Sequence, residues 1–471
     1  MKFQVLSHAG LTVEHKGTSV LIDPWLIGSC YWRSWWNFPE PSRELVDSIK
    51  PDFIYLTHLH WDHFHGPSLR LFDKSTPFLV PKIPTHRMLK DLNVLGFKNV
   101  IEIPHGCKFS LSSDFHLYSY QFGFSSDSAI VLESPDLTLL NANDAKFFGA
   151  PLQQIKKRHK RFDFVLRSYS SASSLPYCVE GYKTRFPALR TKEDYISEFT
   201  AFALHMQAKY AIPFASNHCF LHEETIKFNE TSVSPDLVAE FYSKEAKRLN
   251  IQSECVVMPA GSSWNKDTGF HQVKMNYTQK DKYIDELLLK HDDKLKAQYA
   301  IEQNAVLNIT RFKNYFLDFL NSLPWIFRKL FRKKILFTIP DKITTHQLFV
   351  DFYTNNVGEY KGNERFPIEI ECHATVINAC TAKKMFSVWG ASKRLKIYCR
   401  EDNLKTVNVF FLLLEGYELD LLPIAKNFSF RHLTIYLRRW RELFEFIRVI
   451  VMMKVFNRPF SLVNEFGLTS K

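Results

Sequence analysis

The sequence THLHWDHFHG occupies residues 57–66 and follows an apolar run, DFIYLT at 52–57, which predicts a buried strand. Its four histidines, His58, His60, His63 and His65, lie within eight positions of a chain that has 18 histidines in 471 residues. An even distribution would place fewer than one histidine in such a window. The clustering therefore indicates a metal site, and the alternative is a solvated loop that is rich in histidine.

The spacing H-x-H-x-D-H suits one loop that serves two neighbouring metal positions. Alternate residues of an extended chain point the same way, so His58 and His60 can bind one metal ion. Asp62 and the adjacent His63 can then bind the second. Neutral imidazoles with one carboxylate suit zinc, iron or manganese, and they leave positions open for water or substrate.

This motif after a buried strand resembles the signature of the metallo-β-lactamase superfamily. SHAG at 7–10 and VLIDPWLIG at 20–28 are similar to the opening hairpin of its lactonase-like branch. IDPWL at 22–26, IYLTHLHWDHF at 54–64 and YAIPFASNHCFLHEE at 210–224 resemble the metallo-β-lactamase-like portion of the CMP-N-acetylneuraminate hydroxylase family. The resemblance covers about residues 1–270 and is faint beyond them.

The resemblance implies an α/β fold, a four-layer αββα sandwich, followed by a C-terminal α+β and helical domain. LLNANDA at 139–145 ends a strand at Asp144, where the superfamily places a carboxylate that bridges two metals. His222 takes the place of the late histidine ligand, and His218 is its rival. Asp62 is expected to be catalytic, and His8 to contact substrate at the rim unless it is a plain strand-end histidine. The implied metal ligands are His58, His60, Asp62, His63, Asp144 and His222.

Two departures from the resemblance bear on the reaction. The superfamily supplies a further histidine about twenty residues before the bridging aspartate, but YQFGFSSDS at 120–128 has none. Asp127, Gln121 or a water molecule could fill the gap, and an oxygen-richer site would favour iron or manganese over zinc. The paired C-x-H and C-x-x-H ligands of a Rieske cluster are also missing from the sequence.

These observations predict a metal-dependent hydrolase that uses one or two zinc ions, with iron or manganese as alternatives. A metal-bound hydroxide would attack a small, anionic or sugar-nucleotide-like substrate. A di-iron oxygenase or hydroxylase component is the alternative, and its electrons would come from a separate protein. A non-catalytic scaffold that retains the fold is the third interpretation.

Charge is unevenly distributed along the chain. Residues 1–270 hold 29 Lys and Arg against 28 Asp and Glu, whereas residues 271–471 hold 32 against 21, so the second part carries most of the net +12. We therefore predict a catalytic domain at 1–270, a helical connection at 271–330 and a basic α+β domain at 331–471. The segment 314–334 combines apolar and basic residues, which favours a membrane surface or an anionic partner.

Other sequence features narrow the environment and the partners. Eight cysteines without C-x-x-C pairing favour a reducing compartment, and the first residues lack the apolar run of a signal peptide. No stretch reaches the length of a membrane-spanning helix, and no nucleic-acid motif is present. We expect a cytoplasmic enzyme that acts on a small molecule and does not bind nucleic acid.

Overall fold

The computed structural model describes residues 1–123, 127–180, 191–362, 365–455 and 460–466. Its first unit extends to His271. The strands of this unit are β1 Lys2–Val5, β2 Leu11–His15, β3 Thr18–Ile22, β4 Ser29–Cys30, β5 Trp35–Asn37, β6 Phe53–Tyr55, β7 Phe78–Pro81, β8 Val100–Ile103, β9 Cys107–Ser110, β10 His116–Phe122, β11 Asp127–Ser134, β12 Leu137–Asn143, β13 Phe164–Arg167, β14 Tyr210–Pro213, β15 His218–Phe220, β16 Glu254–Cys255, β17 Ser263–Asn265 and β18 Gly269–His271.

The helices of the first unit are α1 Arg43–Asp47, α2 Gly66–Leu69, α3 Arg87–Val94, α4 Gly149–Arg158, α5 Lys192–Met206 and α6 Pro235–Arg248. One sheet has the strand order β18-β17-β1-β2-β3-β6-β7-β8, and the other has the order β16-β14-β13-β12-β11-β10-β9. A small sheet, β15-β5-β4, lies beside them.

Along the strands of both sheets, successive side chains point alternately toward the other sheet and toward the helices. In β3, Val20 and Ile22 pack between the two sheets, whereas Leu21 packs on the helix side. In β11, Ile130 points into the space between the sheets and the adjacent Val131 points away from it. This period of two is the expected pattern of a strand, and each sheet can therefore bury both of its faces.

Helices cover both outer faces of the paired sheets. Leu69 of α2 and Leu92 of α3 pack on the first sheet. Leu152 of α4, Phe199 of α5 and Val238 of α6 pack on the second sheet. The layer order is helix, sheet, sheet, helix, which confirms the predicted αββα sandwich of the metallo-β-lactamase fold.

The rest of the chain forms a smaller α+β unit and three returning helices. Its five strands have the order β21-β20-β19-β22-β23. The elements are α7 Lys280–Gln303, α8 Ile309–Ser322, α9 Trp325–Phe331, β19 Lys334–Pro340, β20 Thr345–Asp351, β21 Asn356–Glu359, β22 Ile368–Glu371, α10 Ala374–Lys383, α11 Trp389–Ser392, β23 Lys396–Cys399, α12 Leu404–Glu418, α13 Phe430–Arg438, α14 Trp440–Lys454 and α15 Leu462–Glu465.

The α+β unit begins earlier in the structure than the predicted boundary between the helical connection at 271–330 and the α+β domain at 331–471. Phe312 and Phe316 of α8 belong to the same core as Phe337 of β19, so α8 is part of the α+β unit and not of a connection. At the other end, Leu462 and Phe466 join the core formed by α4, α5 and α6. The chain therefore returns to the first unit after α12, because apolar side chains of the last helices pack there.

In the part of the chain that the structure describes, no helix combines the length and the apolar character that crossing a membrane requires.

Candidate metal centre

The candidate centre lies where several strands of the two sheets end. The motif loop leaves β6 at Tyr55, and β6 pairs in parallel with β3, so Asp23 after β3 lies beside Thr57. Asp144 follows the last residue of β12, in the facing sheet. The sandwich thus brings three separate segments together at one edge.

The first group of side chains surrounds Asp144. His58 Nε2 lies 2.9 Å from His60 Nδ1. The Asp144 Oδ2 atom lies 3.9 Å from His58 Nε2 and 3.2 Å from His63 Nε2. The ligand atoms of His58, His63 and Asp144 all lie within 4.8 Å of one another, a spacing that one metal ion can bridge.

The second group surrounds Asp62. Its Oδ2 atom lies 3.3 Å from His63 Nε2 and 3.0 Å from His8 Nε2, and its Oδ1 atom accepts a hydrogen bond from the Tyr31 hydroxyl. His8, Asp62 and His63 also have ligand atoms within 4.8 Å of one another. His8 is therefore buried in the cluster and does not lie at its rim. The two groups share His63.

Asp23 fixes the orientation of the motif loop. Its carboxylate accepts hydrogen bonds from the Thr57 backbone N–H at 2.8 Å, the Thr57 hydroxyl at 2.6 Å and Asn143 Nδ2 at 2.8 Å. It also lies 2.7 Å from His63 Nδ1. Both Asp23 and Asn143 have a left-handed backbone, with φ of 46° and 50°. A carboxylate on the far nitrogen of a histidine is the usual support of a metal ligand.

The surroundings of His63 Nε2, the ring nitrogen that faces Asp62 and Asp144, fit a bound cation. His63 Nε2 is buried, and two carboxylate oxygens, of Asp62 and Asp144, lie 3.3 Å and 3.2 Å from it. Burial alone would lower the pKa of His63, but Asp62 and Asp23 hold it well above its ordinary value. The cluster therefore requires positive charge at this nitrogen, which a proton or a metal ion can supply.

Two other ligand candidates, His58 and Asp144, have pKa shifts in the direction that metal binding needs. Burial lowers the pKa of His58 well below its ordinary value, and the rings of His63 and His60 lower it further. Burial alone would raise the pKa of Asp144, but His63 and His58 hold it below its ordinary value. A neutral imidazole and an ionised carboxylate are the forms that bind metals.

Asp127 is a candidate for the place where the sequence lacks a histidine. It begins β11, opposite Phe122 in the β10–β11 hairpin. Its Oδ1 atom is buried and has no hydrogen-bond partner within the described ranges. Burial raises the pKa of Asp127, while the nearby rings of His60 and His63 oppose this rise. Of the alternatives for the gap, Asp127 thus offers a free carboxylate oxygen beside the cluster.

The structure does not bring His222 to this cluster. Its Nε2 atom lies 3.2 Å from Glu302 Oε2, and its Nδ1 atom accepts a hydrogen bond from the Glu224 backbone N–H. Both ring nitrogens are therefore engaged elsewhere. His218 instead stacks on Trp35, with ring centroids 3.6 Å apart, and its ring lies 5.3 Å from that of His8. Of the two late histidines, His218 is the one beside the centre.

His65, the fourth histidine of the motif, has a separate structural role. Its Nδ1 atom accepts the Ser68 backbone N–H and caps the start of α2. Burial lowers the pKa of His65 to about 4, so the ring is neutral at physiological pH.

The centre is most open beside Asp144. The Asp144 side chain is 25% exposed, whereas those of His58 and His63 are nearly buried. Lys146 is close enough to Asp127 to influence its charge, and it lies over the Tyr195 ring.

A cavity of about 750 Å³ lies on the other side of the motif loop, between the two units. Tyr31 and Trp61 form part of its wall, and it also contains several cationic side chains. None of the ligand candidates of the centre lines it, so the cavity is separate from the metal ligands. The cationic lining residues are Arg33, Arg70, Arg87, Lys383 and Lys384.

Sequence reasoning did not assign a role to Asp23, Tyr31 or Asn143. Asp23 was visible as an acidic residue directly after the apolar strand VLI, a position that matches Asp144 after its own strand. Tyr31 and Asn143 carry no such signal, because their contacts with Asp62 and Asp23 depend on loop geometry.

Searches for related proteins give sequence matches that cover up to about half of the chain. A protein of Mycolicibacterium smegmatis named as a Rieske 2Fe-2S iron-sulfur protein is 26% identical over 247 residues, which cover 50% of this chain and 47% of that protein. The cytidine monophosphate-N-acetylneuraminic acid hydroxylase of Asterias rubens is 31% identical over 121 residues, covering 23% of this chain and 18% of that one. The chain spans about half the length of the first of these curated relatives.

Among solved structures, an isothiocyanate hydrolase from Delia radicum gut bacteria is similar, with 16% sequence identity and a TM-score of 0.41. The match covers 56% of this chain and 99% of that one. No protein-family model matches the chain. The sequence relatives agree with the resemblance to the metallo-β-lactamase-like portion of the hydroxylase family.

Proposed function

We propose that this chain, whose first unit has the metallo-β-lactamase fold, is a metal-dependent hydrolase of a small anionic substrate. The observation that carries the proposal is the convergence of buried ligand atoms: His63 Nε2 lies within 3.3 Å of the carboxylates of both Asp62 and Asp144, and His8 and His58 lie beside them. Divalent metal ions in such a site acidify bound water and polarise a substrate oxygen.

The protein residues hold and orient the centre. His58, His60 and Asp144 would hold one ion, with Asp127 as an additional oxygen ligand. Asp62, His63 and either His8 or His218 would hold a second.

The surrounding residues fix the ligand geometry and provide an attraction for substrate. Asp23 fixes the His63 ring through Nδ1, and the Tyr31 hydroxyl fixes the Asp62 carboxylate. Lys146, whose charge acts on Asp127, would attract a negatively charged substrate group.

Metal analysis and a hydrolase assay on the full chain test this proposal. Protein purified from cells supplied with zinc, iron and manganese should carry about one or two ions per chain. It should also hydrolyse a phosphodiester or lactone from a panel of chromogenic esters, and removal of the metal by a chelator should abolish that activity. His63→Ala should lose both properties, whereas His271→Ala, at an exposed position, should keep them. Full metal loading in His63→Ala would contradict the proposal.

A second function, a di-iron oxygenase or hydroxylase component, is favoured by Asp127. A carboxylate in place of an imidazole makes the ligand set harder and suits iron or manganese better than zinc. The sequence relatives named as a hydroxylase and as a Rieske protein support this alternative. In that case a separate iron–sulfur protein would supply the electrons.

The identity of the metal distinguishes the two functions. For the oxygenase, purified protein should contain iron and consume dioxygen when an electron donor is added. Asp127→His should then shift metal selection toward zinc, while Asp127→Asn should weaken iron binding. Zinc in the wild-type protein, with no dioxygen consumption, would exclude the oxygenase and leave the hydrolase.

We also propose that the protein works in the cytoplasm. All eight cysteines are free thiols, and burial raises the pKa of several of them, including Cys30 and Cys380, well above the ordinary value. Buried thiols of this kind are typical of proteins in a reducing compartment.

A further inference from the structure

Helices α13 and α14 carry a continuous row of large apolar side chains that face outward. Their exposed fractions include 81% for Phe430, 62% for Leu437 and 63% for Phe444. We call this row the apolar face and define it by Phe430, Leu437, Trp440, Leu443, Phe444 and Ile447. Single exposed apolar residues are ordinary, but a row of this length marks an interaction surface.

The spacing shows that the row is one stripe on each helix. Phe430 and Leu437 are seven residues apart on α13, and Trp440, Phe444 and Ile447 are four and three residues apart on α14. Such spacing places side chains on the same side of a helix. The opposite side of α14 is packed, because Phe446 stacks on Phe122 with ring centroids 5.8 Å apart.

The acidic and basic side chains near the apolar face have different contacts. The acidic residues of α14 point inward: Glu442 accepts a hydrogen bond from the Gly123 backbone N–H and Glu445 from that of Ala150. Arg438 is exposed, and Arg441 lies over the Trp440 ring. Neither arginine is paired with a carboxylate in the described part of the chain, and the Arg438 guanidinium donates a hydrogen bond to Cys107 Sγ at 3.3 Å. The apolar face is therefore bordered by two arginines, whereas the acidic side chains of α14 are directed away from it.

We propose that the apolar face docks on an anionic lipid bilayer. Apolar side chains bordered by arginine, with Trp440 and Tyr436 among them, have the chemistry of a helix that lies in the headgroup region. The cations then meet anionic headgroups, consistent with the +11 charge of residues 271–471, which hold 32 basic and 21 acidic residues. A second copy fits less well, because symmetric pairing of this face would bring Arg438 and Arg441 close to their own copies.

Helices α13 and α14 pack, by the side opposite the apolar face, on the edge of the sandwich that carries the candidate metal centre. Arg439 and Glu442 hold Gly123, which is next to the hairpin end where Asp127 lies. Glu445 holds Ala150, which follows the segment that begins at Asp144. Docking of the apolar face would thus place α13 and α14 between this edge and the membrane surface.

The segment 314–334, which the sequence suggested for the same role, contributes fewer exposed residues. Tyr315 and Phe316 are buried in the core of the α+β unit. Trp325 and Leu330 of α9 are exposed, beside the basic residues of RKLFRKK. We therefore place the main contact at α13 and α14 and retain α9 as an additional proposed contact.

Sedimentation of the full chain with lipid vesicles tests the docking. Vesicles of phosphatidylcholine with about 30 mol % phosphatidylserine should bind the protein, and phosphatidylcholine alone should bind it at least about tenfold less. Leu437→Glu/Phe444→Glu should lower the bound fraction at least about tenfold, since it puts charge into the apolar face. Leu289→Glu, at an exposed leucine of α7, is the matched control and should bind as the wild type does.

Two further measurements keep the result independent of folding and of the metal. Circular dichroism and sedimentation velocity should show the double variant to be folded and monomeric, like the wild type. Vesicle binding should persist in a chelator, so a failure of the proposed enzyme function would leave this result unchanged. Arg438→Glu/Arg441→Glu should weaken binding to anionic vesicles.

Three outcomes would overturn the proposal. One is equal vesicle binding by the wild type and Leu437→Glu/Phe444→Glu. Another is no vesicle binding by the wild type at all. The third is a wild-type dimer that this double variant dissociates, which would assign the apolar face to a second copy of the chain.

Discussion

Two buried clusters of histidine and carboxylate differ in how their charges are paired. Around His222, the Glu302 carboxylate lies 3.2 Å from His222 Nε2 and 3.0 Å from an Arg394 nitrogen, and Arg394 also pairs with Glu224. Around His63, one ring faces the carboxylates of Asp23, Asp62 and Asp144 at 2.7 to 3.3 Å. The first cluster contains the permanent charge of Arg394, whereas in the described residues no lysine or arginine pairs with the three carboxylates around His63.

From this difference we infer that the cluster around His222 is a structural network and that the cluster around His63 is a candidate ligand site. A buried ion pair with its partners present holds elements together, and here it connects the first unit to α7 and to the α+β unit. A buried group of carboxylates with too few cations is costly unless a further positive charge is bound. Perturbed groups of the second kind are typical of functional sites.

The strongest test of this difference removes the first two ligands. His58→Ala/His60→Ala should reduce bound metal to less than about a tenth of the wild-type content, because imidazole supplies most of the affinity of such sites. Metal content measured by plasma mass spectrometry, with thermal unfolding as the control for folding, decides the result.

His222→Gln is the matched control for that experiment. It changes the other buried histidine and should leave metal content unchanged while it lowers the unfolding temperature. If His222→Gln lost the metal and His58→Ala/His60→Ala kept it, the assignment of the two clusters would be reversed.

Mutations in the cluster around His222 should change the stability of the fold and not its metal content. Glu302→Ala leaves the buried Arg394 without one of its partners and should cost about 3–5 kcal/mol in the free energy of unfolding. Chemical denaturation followed by tryptophan fluorescence measures the loss. Glu286→Ala, at an exposed position on the same helix, should change little. An undiminished unfolding free energy in Glu302→Ala would show that this network does not stabilise the fold.

Acid should weaken the same network within a defined range of pH. Burial alone would raise the pKa of Glu302, but its bonds with His222 and Arg394 lower it to about 2. Because the folded pKa is lower than the unfolded one, this stabilisation is present above about pH 4.5 and is lost as the pH falls to about 2; it amounts to about 3 kcal/mol. Glu302→Gln should show a flatter dependence of unfolding free energy on pH in this range, and an unchanged slope would contradict the assignment.

Local patterns in the sequence were sufficient to predict that the side chains at the core of the candidate centre lie together. His58, His60, Asp62 and His63 lie on one loop, so their spacing alone places them together. Asp144 follows a recognisable strand. The layers of the fold were also predictable, because alternating apolar residues specify which faces of the strands are buried.

The positions of His218, of Asp127 and of the last helices depend on pairings between distant segments, which the sequence pattern did not predict. His218 and His222 are four residues apart, and only the pairing of β15 with β5, which sets His218 opposite Asn37, brings His218 to the centre. Asp127 likewise depends on its position opposite Phe122 in a hairpin. The return of α14 and α15 to the first unit depends on contacts with residues about 300 positions earlier, such as Glu445 with Ala150. Apolar periodicity does not specify such partners.

A conservative change at Asp23 tests whether its carboxylate orients the His63 ring. Asp23→Asn keeps the size of the side chain and its contact with Thr57, but it removes the charge that orients His63 through Nδ1. Loss of such a supporting carboxylate lowers metal affinity by about 10–100-fold, so competition with a fluorescent chelator should show a shift of that size. Asp52→Asn is the matched control, since Asp52 is exposed and bonds only Ser19 in the described structure. Unchanged affinity in Asp23→Asn would mean that the His63 ring is held by its packing, and the centre would then owe its geometry to the core rather than to the carboxylate behind it.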